Sequence, residues 1–150
     1  MATRNGSARW AGDLKTGSGE LTVGDRAWTS AYSGRSRFGG VLPGFEPGEG
    51  TNPEELLAAA HAACFSMALS LALSDAGHSP SSIRTTARVH LRIVGGAPAI
   101  QQIDLETEAV APGLDPEQFQ DLAGQAKTSC IISRALAAVE QINLTARLTS

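Results

Sequence analysis

The stretch TNPEELLAAAHAACFSMALSLAL, Thr51 to Leu73, decides the fold. Asn52 suits a helix N-cap, Pro53 the first helical position, where a missing N–H costs nothing, and Glu55 the third position of a capping box. Gly77 supplies the stop. Apolar residues from Leu56 to Leu73 occupy every face, so the segment predicts a helix buried on all sides. Something must wrap around it. A membrane span is the competing reading of such a run, but this one is dominated by alanine and interrupted by His61, Ser66 and Ser70. It also has no aromatic or basic anchors at its ends, so no membrane association is expected.

The wrapping is legible further along. From Ile83 to Ile93 apolar residues and threonine alternate with Arg84, Thr86, Arg88, His90 and Arg92, which predicts a strand with one wet face. After GGAP (Gly95 to Pro98), Ile103, Leu105, Thr107 and Ala109 alternate with Asp104, Glu106 and Glu108. A turn centred near Pro98 would set Arg92 opposite Asp104 and Arg88 opposite Glu108, an antiparallel hairpin matched in charge. These charges read as structure. A third alternating run is Ile142, Leu144, Ala146 and Leu148. Weaker strand signals occupy Ala8 to Leu14, Glu20 to Val23 and Arg26 to Tyr32. Asp115, Pro116 and Gln118 open a second helix at DPEQFQDLAGQAKTSC, and IISRALAAV continues as a third, short one. The only Gly/Pro-rich loop is FGGVLPGFEPGEG, Phe38 to Gly50. The expected architecture is α+β, antiparallel sheets wrapped around a long buried central helix.

Length and composition bound the rest. At 150 residues, 42% of them hydrophobic, the chain predicts a single domain, 1–150, with a core of its own. A net charge of -3 without a Lys/Arg cluster leaves no electrostatic footprint for nucleic acid. MATRNGSARWAGDLKTGSG lacks the apolar segment of a secretory signal, so a cytoplasmic location is expected, where two cysteines far apart are free thiols or a redox pair.

Cys64, in mid-helix, reads either as a small core hydrophobe or as half of that pair. Cys130 follows KTS and precedes a helical run, where the positive end of the helix dipole favours thiolate. Burial alone would raise the pKa of Cys64, so reactivity there needs a cation, and Arg35 and Arg37 of SGRSRFGG are the candidates. His61 lies one turn from Cys64, a spacing compatible with zinc. With no second ligand pair in sequence no metal site is expected, and His61 reads as a packed or hydrogen-bonded core residue. Ser129 and Ser133, flanking Cys130, read as capping residues. Glu54 and Glu55 suit a first helical turn by charge alone, and for Glu55 nothing more is expected.

TNPEELLAAAHAACFSMALSLAL, SRFGG, AKTSC, AVAPGLDPEQF and the opening ARWAGDLKTGSGEL together resemble the OsmC branch of the OsmC/Ohr family of thiol peroxidases, over nearly the whole chain. The resemblance implies an intertwined homodimer that reduces organic hydroperoxides to alcohols and protects against oxidative or osmotic stress. It implies a peroxidatic Cys64, a resolving Cys130, an arginine at Arg37, with Arg35 the alternative, and a glutamate at Glu54. A dithiol, lipoyl-type in some members, closes the cycle, and no cofactor is required. The apolar helical neighbours of Cys64 (Leu57, Ala60, Met67, Ala68, Leu71) favour a bulky alkyl hydroperoxide over hydrogen peroxide. The competing function is a non-enzymatic dimer that binds an apolar ligand and merely buries its cysteines. Helix geometry adds one expectation. Glu54 and Cys64 are ten residues apart, about 15 Å on a continuous helix, so Glu54 and Arg37 would reach Cys64 across a two-fold interface.

Overall fold

The structure is a computed structural model that describes residues 2–25 and 28–149. The chain divides into two units, Met1–Leu56 and Leu57–Ser150.

The first unit is built on an antiparallel sheet of β1 (Gly6–Ala11), β2 (Ser18–Val23) and β3 (Trp28–Ser33), in that order. The first strand starts and ends earlier than the expected Ala8 to Leu14. Arg26 and Ala27, which open the third expected run, lie outside the described residues. A short helix follows directly, α1 (Gly34–Phe38), where the sequence had suggested only loop. Ser33 and Ser36 cap it reciprocally: the Ser33 hydroxyl accepts from the Ser36 N–H at 3.0 Å and the Ser36 hydroxyl from the Ser33 N–H at 2.9 Å. The helix packs its Phe38 ring edge-on against Phe45 of the loop, with ring centroids 5.6 Å apart.

The central helix, α2 (Pro53–Asp75), runs unbroken for 23 residues. The Asn52 side chain accepts from the Glu55 N–H at 2.9 Å, as its cap role requires. Glu55 takes its other bond from the Thr51 hydroxyl rather than from the Asn52 backbone. The helix ends at Gly77, whose φ of 84° puts it in the left-handed region. The His78 N–H reaches the Leu73 carbonyl and the Gly77 N–H reaches that of Ser74, a Schellman motif.

The second unit holds β4 (Ser82–Val94), β5 (Ala97–Val110), α3 (Pro116–Ser129), α4 (Ile131–Ala135) and β6 (Gln141–Thr149). The alternation read from sequence is realised: Ile103, Leu105, Thr107 and Ala109 are buried, while Glu106 and Glu108 face outward. The hairpin register differs from the expected one. Gly95 and Gly96 adopt φ of 57° and 85°, the pair of positive values that a tight two-residue turn demands, so the turn centres on them and not on Pro98. With a register shift between His90 and Leu91, Arg92 falls opposite Ala99, Arg88 opposite Asp104 and Arg84 opposite Glu108. Charge still matches across the strands, and Arg88 pairs diagonally with Glu106. Asp104 accepts hydrogen bonds from Gln102, Asn143 and His90, which hold its carboxyl at about 2 and tie β4, β5 and β6 together on the outer face.

One pairing departs from the antiparallel expectation: β6 lies parallel to β5. The chain between them crosses over through α3 and α4, the kind of connection that parallel neighbours need. Asp115 caps α3 by accepting from the N–H groups of Glu117 and Gln118, with Pro116 in the first turn. Phe119, Leu122, Ala123 and Ala126 of α3 share one core with Phe65, Leu69 and Leu73 of α2 and with Leu105 and Ala109 of β5. The hydroxyls between α2 and the sheet are paired: that of Ser66 donates to Thr85, which is 3.0 Å from the buried Thr107 hydroxyl.

Within one chain α2 is not buried on all sides. His61, Phe65, Leu69 and Leu73, four residues apart, are fully buried, but Ala60 and Ala63 are exposed and Met67 and Leu71 are 73% and 63% exposed. The sheet and α3 cover one stripe of a helix that is apolar all round. By length and composition alone α2 could cross a membrane, yet its buried stripe packs as that of a core helix.

Candidate active site

Two sets of chemistry-bearing side chains emerge, one in each unit. In the first, Ser36 of α1 donates to the Thr51 carbonyl at 2.7 Å and the Asn52 amide donates to the Ser36 carbonyl at 3.2 Å, which fixes α1 against the start of α2. That junction sets Arg37 beside Glu54. The Arg37 Nη2 donates to Glu54 Oε1 at 2.7 Å, and Nε lies 3.1 and 3.2 Å from the two carboxylate oxygens. Glu54 is buried, whereas the Arg37 side chain keeps 39% of its surface exposed and lies over the Phe38 ring, 5.0 Å from its centroid. A carboxylate that merely favoured the helix dipole would stay in solvent; Glu54 is turned inward to hold a guanidinium whose outer edge stays open.

Arg35 is committed elsewhere. It donates to the carbonyls of Glu46 and Pro47, and a side chain on Gly48 would approach its Cβ to 2.7 Å. Of the two arginines proposed from sequence, Arg37 is the one paired with Glu54.

In the second unit the structure brings the two cysteines to 3.2 Å from each other, both as free thiols. Cys64 is half-buried, at the border between the covered and the open stripes of α2. Cys130 is 1% exposed and is the hinge residue between α3 and α4: its N–H bonds the Ala126 carbonyl and its carbonyl accepts from Arg134. Burial alone would raise the Cys130 pKa. Hydrogen bonds from the Ser133 N–H and hydroxyl, the Cys64 thiol and the Ile132 N–H outweigh it and bring the thiol below its ordinary value.

Ser133 is the residue that sequence reasoning misassigned. It makes no capping bond at α4; it is buried and lies 2.7 Å from Nε2 of the fully buried His61. Burial lowers the His61 pKa, so the ring is neutral near pH 7. The expectation that His61 is a hydrogen-bonded core residue holds. Its partner is 72 positions away, and only the shared helical spacing of His61 with Cys64 and of Ser133 with Cys130 hinted at the pairing. Ser129, the other expected cap, turns its hydroxyl back to the Ala126 carbonyl.

Residues 46–145 match the model of the family described as OsmC-like protein. The chain is 43% identical to peroxiredoxin OsmC of Escherichia coli (strain K12) over 136 residues, 90% of each protein. It is 30% identical to an organic hydroperoxide resistance protein of Xanthomonas axonopodis pv. citri (strain 306) over 128 residues, 85% of this chain and 84% of that one. Among solved structures it is similar in fold to the organic hydroperoxide resistance protein OhrB of Bacillus subtilis, with a TM-score of 0.68 and 24% identity over 99% of this chain and 98% of that one. An OsmC-like protein of Vibrio cholerae O1 superposes with a TM-score of 0.73 at 14% identity, over 97% of this chain and 99% of that one. By sequence and by fold, the chain belongs to the OsmC-like protein family.

Proposed function

We propose that the protein is a thiol-dependent peroxidase that reduces organic hydroperoxides to alcohols, with Cys64 as the peroxidatic and Cys130 as the resolving residue. The observation that carries this reading is the thiol pair itself: a half-exposed Cys64 against a buried Cys130 whose sulfur is surrounded by donors. A simple apolar core has no use for that arrangement. The names of the relatives, a peroxiredoxin and an organic hydroperoxide resistance protein, support the same chemistry.

The Cys64 sulfur attacks the distal oxygen of the hydroperoxide, the O–O bond breaks, and the alkoxide leaves as alcohol with a proton. Cys64 is left as a sulfenic acid. Cys130 then displaces water from it and forms the disulfide, which an external dithiol reduces by exchange. A reducing, cytoplasmic setting suits that last step. Ala60, Met67 and Leu71, beside Cys64 on α2, are apolar, and a site lined by them and closed by a second protomer favours an alkyl or aryl hydroperoxide over hydrogen peroxide. Arg37, held by Glu54, supplies positive charge for the anionic sulfur and the departing oxygen. In this proposal the pair serves Cys64 of the second protomer in a homodimer, since α2 is unbroken and its exposed apolar stripe needs a cover.

The test is turnover. With a dithiol such as dihydrolipoamide present, the protein should consume cumene hydroperoxide with a kcat/KM at least tenfold above that for hydrogen peroxide. No consumption of either peroxide would overturn the reading.

A further inference from the structure

The resolving step needs a base that the thiol pair does not contain. Cys130 must lose its proton to attack the Cys64 sulfenic acid, and its sulfur is too deeply buried for bulk water to take that proton directly. Ser133 lies one turn along α4 from Cys130, where its N–H and hydroxyl lower the pKa of the thiol, and His61 Nε2 lies 2.7 Å from the Ser133 hydroxyl oxygen. Among the described residues, His61 Nδ1 is the one buried side-chain nitrogen or oxygen left without a hydrogen-bond partner.

That orphan atom is informative. In most buried histidines a carbonyl or carboxylate on one ring nitrogen fixes which of the two carries the proton. Nothing on Nδ1 locks the tautomer of His61, so Nε2 is free to accept at one moment and donate at the next. No charged side chain hydrogen-bonds the ring among the described residues, and burial alone accounts for its lowered pKa; Cys64 lies one turn along α2 and Cys130 one turn from Ser133 along α4.

We infer that Ser133 and His61 form a proton relay for disulfide formation, Ser133 touching the reacting sulfur and His61 acting through it. The inference rests on the peroxidase reading above. The Cys130 S–H proton passes to the Ser133 oxygen as the Ser133 hydroxyl proton passes to His61 Nε2. The Cys130 sulfur then bonds to the Cys64 sulfur and the Cys64 S–O bond breaks. Cys130 is oxidised and the sulfenic sulfur reduced, and the hydroxide that leaves recovers the relayed proton to depart as water. Burial keeps the ring neutral beforehand and makes it a ready proton donor afterwards.

The experiment follows the intact protein after one equivalent of cumene hydroperoxide, with alkylation quenches and mass spectrometry resolving sulfenic acid from disulfide. His61→Gln keeps an acceptor for Ser133 but takes no proton. It should still form the sulfenic acid, trapped by dimedone, and then form the disulfide about 10²-fold more slowly or worse. Ser133→Ala should do the same and Ser133→Thr should restore the rate to within a few-fold. That series keeps the inference open to test if the histidine variant folds poorly. In the unmutated protein the resolving rate should fall with falling pH as His61 becomes protonated, and this limb should be missing in His61→Gln. Disulfide formation at the unmutated rate in His61→Gln and Ser133→Ala, or an unchanged acid limb, overturns the relay. Absence of sulfenic acid in the unmutated protein fails one step earlier and overturns the peroxidase reading together with the relay.

Discussion

Cys64→Ser is expected to bring hydroperoxide consumption down to background, a loss on the order of 10³-fold or more, because a serine hydroxyl offers no sulfur on which the distal oxygen can remain. The substitution is nearly isosteric at a half-buried position, so the fold and the melting temperature should be almost unaffected. Cys130→Ser should behave differently. It removes only the second thiol, so one equivalent of cumene hydroperoxide should be consumed in a rapid burst and the protein should stop as a Cys64 sulfenic acid. Steady turnover with a dithiol should then depend on direct attack by that dithiol. The contrast separates the two roles: equal loss of the burst in both variants would contradict the assignment of Cys64 as the sole site of attack.

The second large effect concerns Arg37 and Glu54. Glu54→Gln leaves Arg37 without the carboxylate that orients it through three short contacts, and misplacement of a charged group by about 1 Å costs on the order of 10²-fold in rate. If the pair serves the other protomer, Glu54→Gln and Cys64→Ser chains are each poorly active alone, yet their mixed dimers contain one intact composite site. Random mixing makes half of the dimers mixed, each with one working site of two, so roughly a quarter of normal activity should return on co-expression. Mixed dimers confirmed by native mass spectrometry but without recovered activity would contradict the shared site.

Much of this was legible in the residues. The caps at Asn52 and Asp115, Pro at the first turns and Gly77 at the stop located α2 and α3, because these signals act over three or four neighbouring positions. Alternation found β4, β5 and β6, with the buried face of β5 and the half-buried inner faces of β4 and β6. What was missed depends on partners distant in sequence or on backbone geometry. The hairpin register turned on the positive φ of Gly95 and Gly96, which prevailed over the proline nearby. The short helix carrying Arg35 and Arg37 is held by two serines three apart, a weak cap signal in a glycine-rich setting. Parallel pairing of β6 followed from a crossover whose path a single strand does not encode. The all-round apolar pattern of α2 predicted complete burial, but one chain covers only the stripe through Phe65, Leu69 and Leu73; the remaining stripe is the part of the pattern that a partner subunit would satisfy. The candidate residues were legible as types, Cys64, Cys130, Glu54 and the two arginines, while the pairing of Arg37 with Glu54 and of Ser133 with His61 lies in hydrogen bonds between residues distant in sequence.

The most direct measurement is intact-mass and peptide mapping of the unmutated, reduced protein after one equivalent of cumene hydroperoxide per chain, with the released alcohol quantified in parallel. One equivalent of cumyl alcohol and a loss of two mass units per chain are expected, mapped to a disulfide between Cys64 and Cys130 of the same chain. Thiols that persist with the hydroperoxide unconsumed, or a crosslink found only between chains, would contradict it.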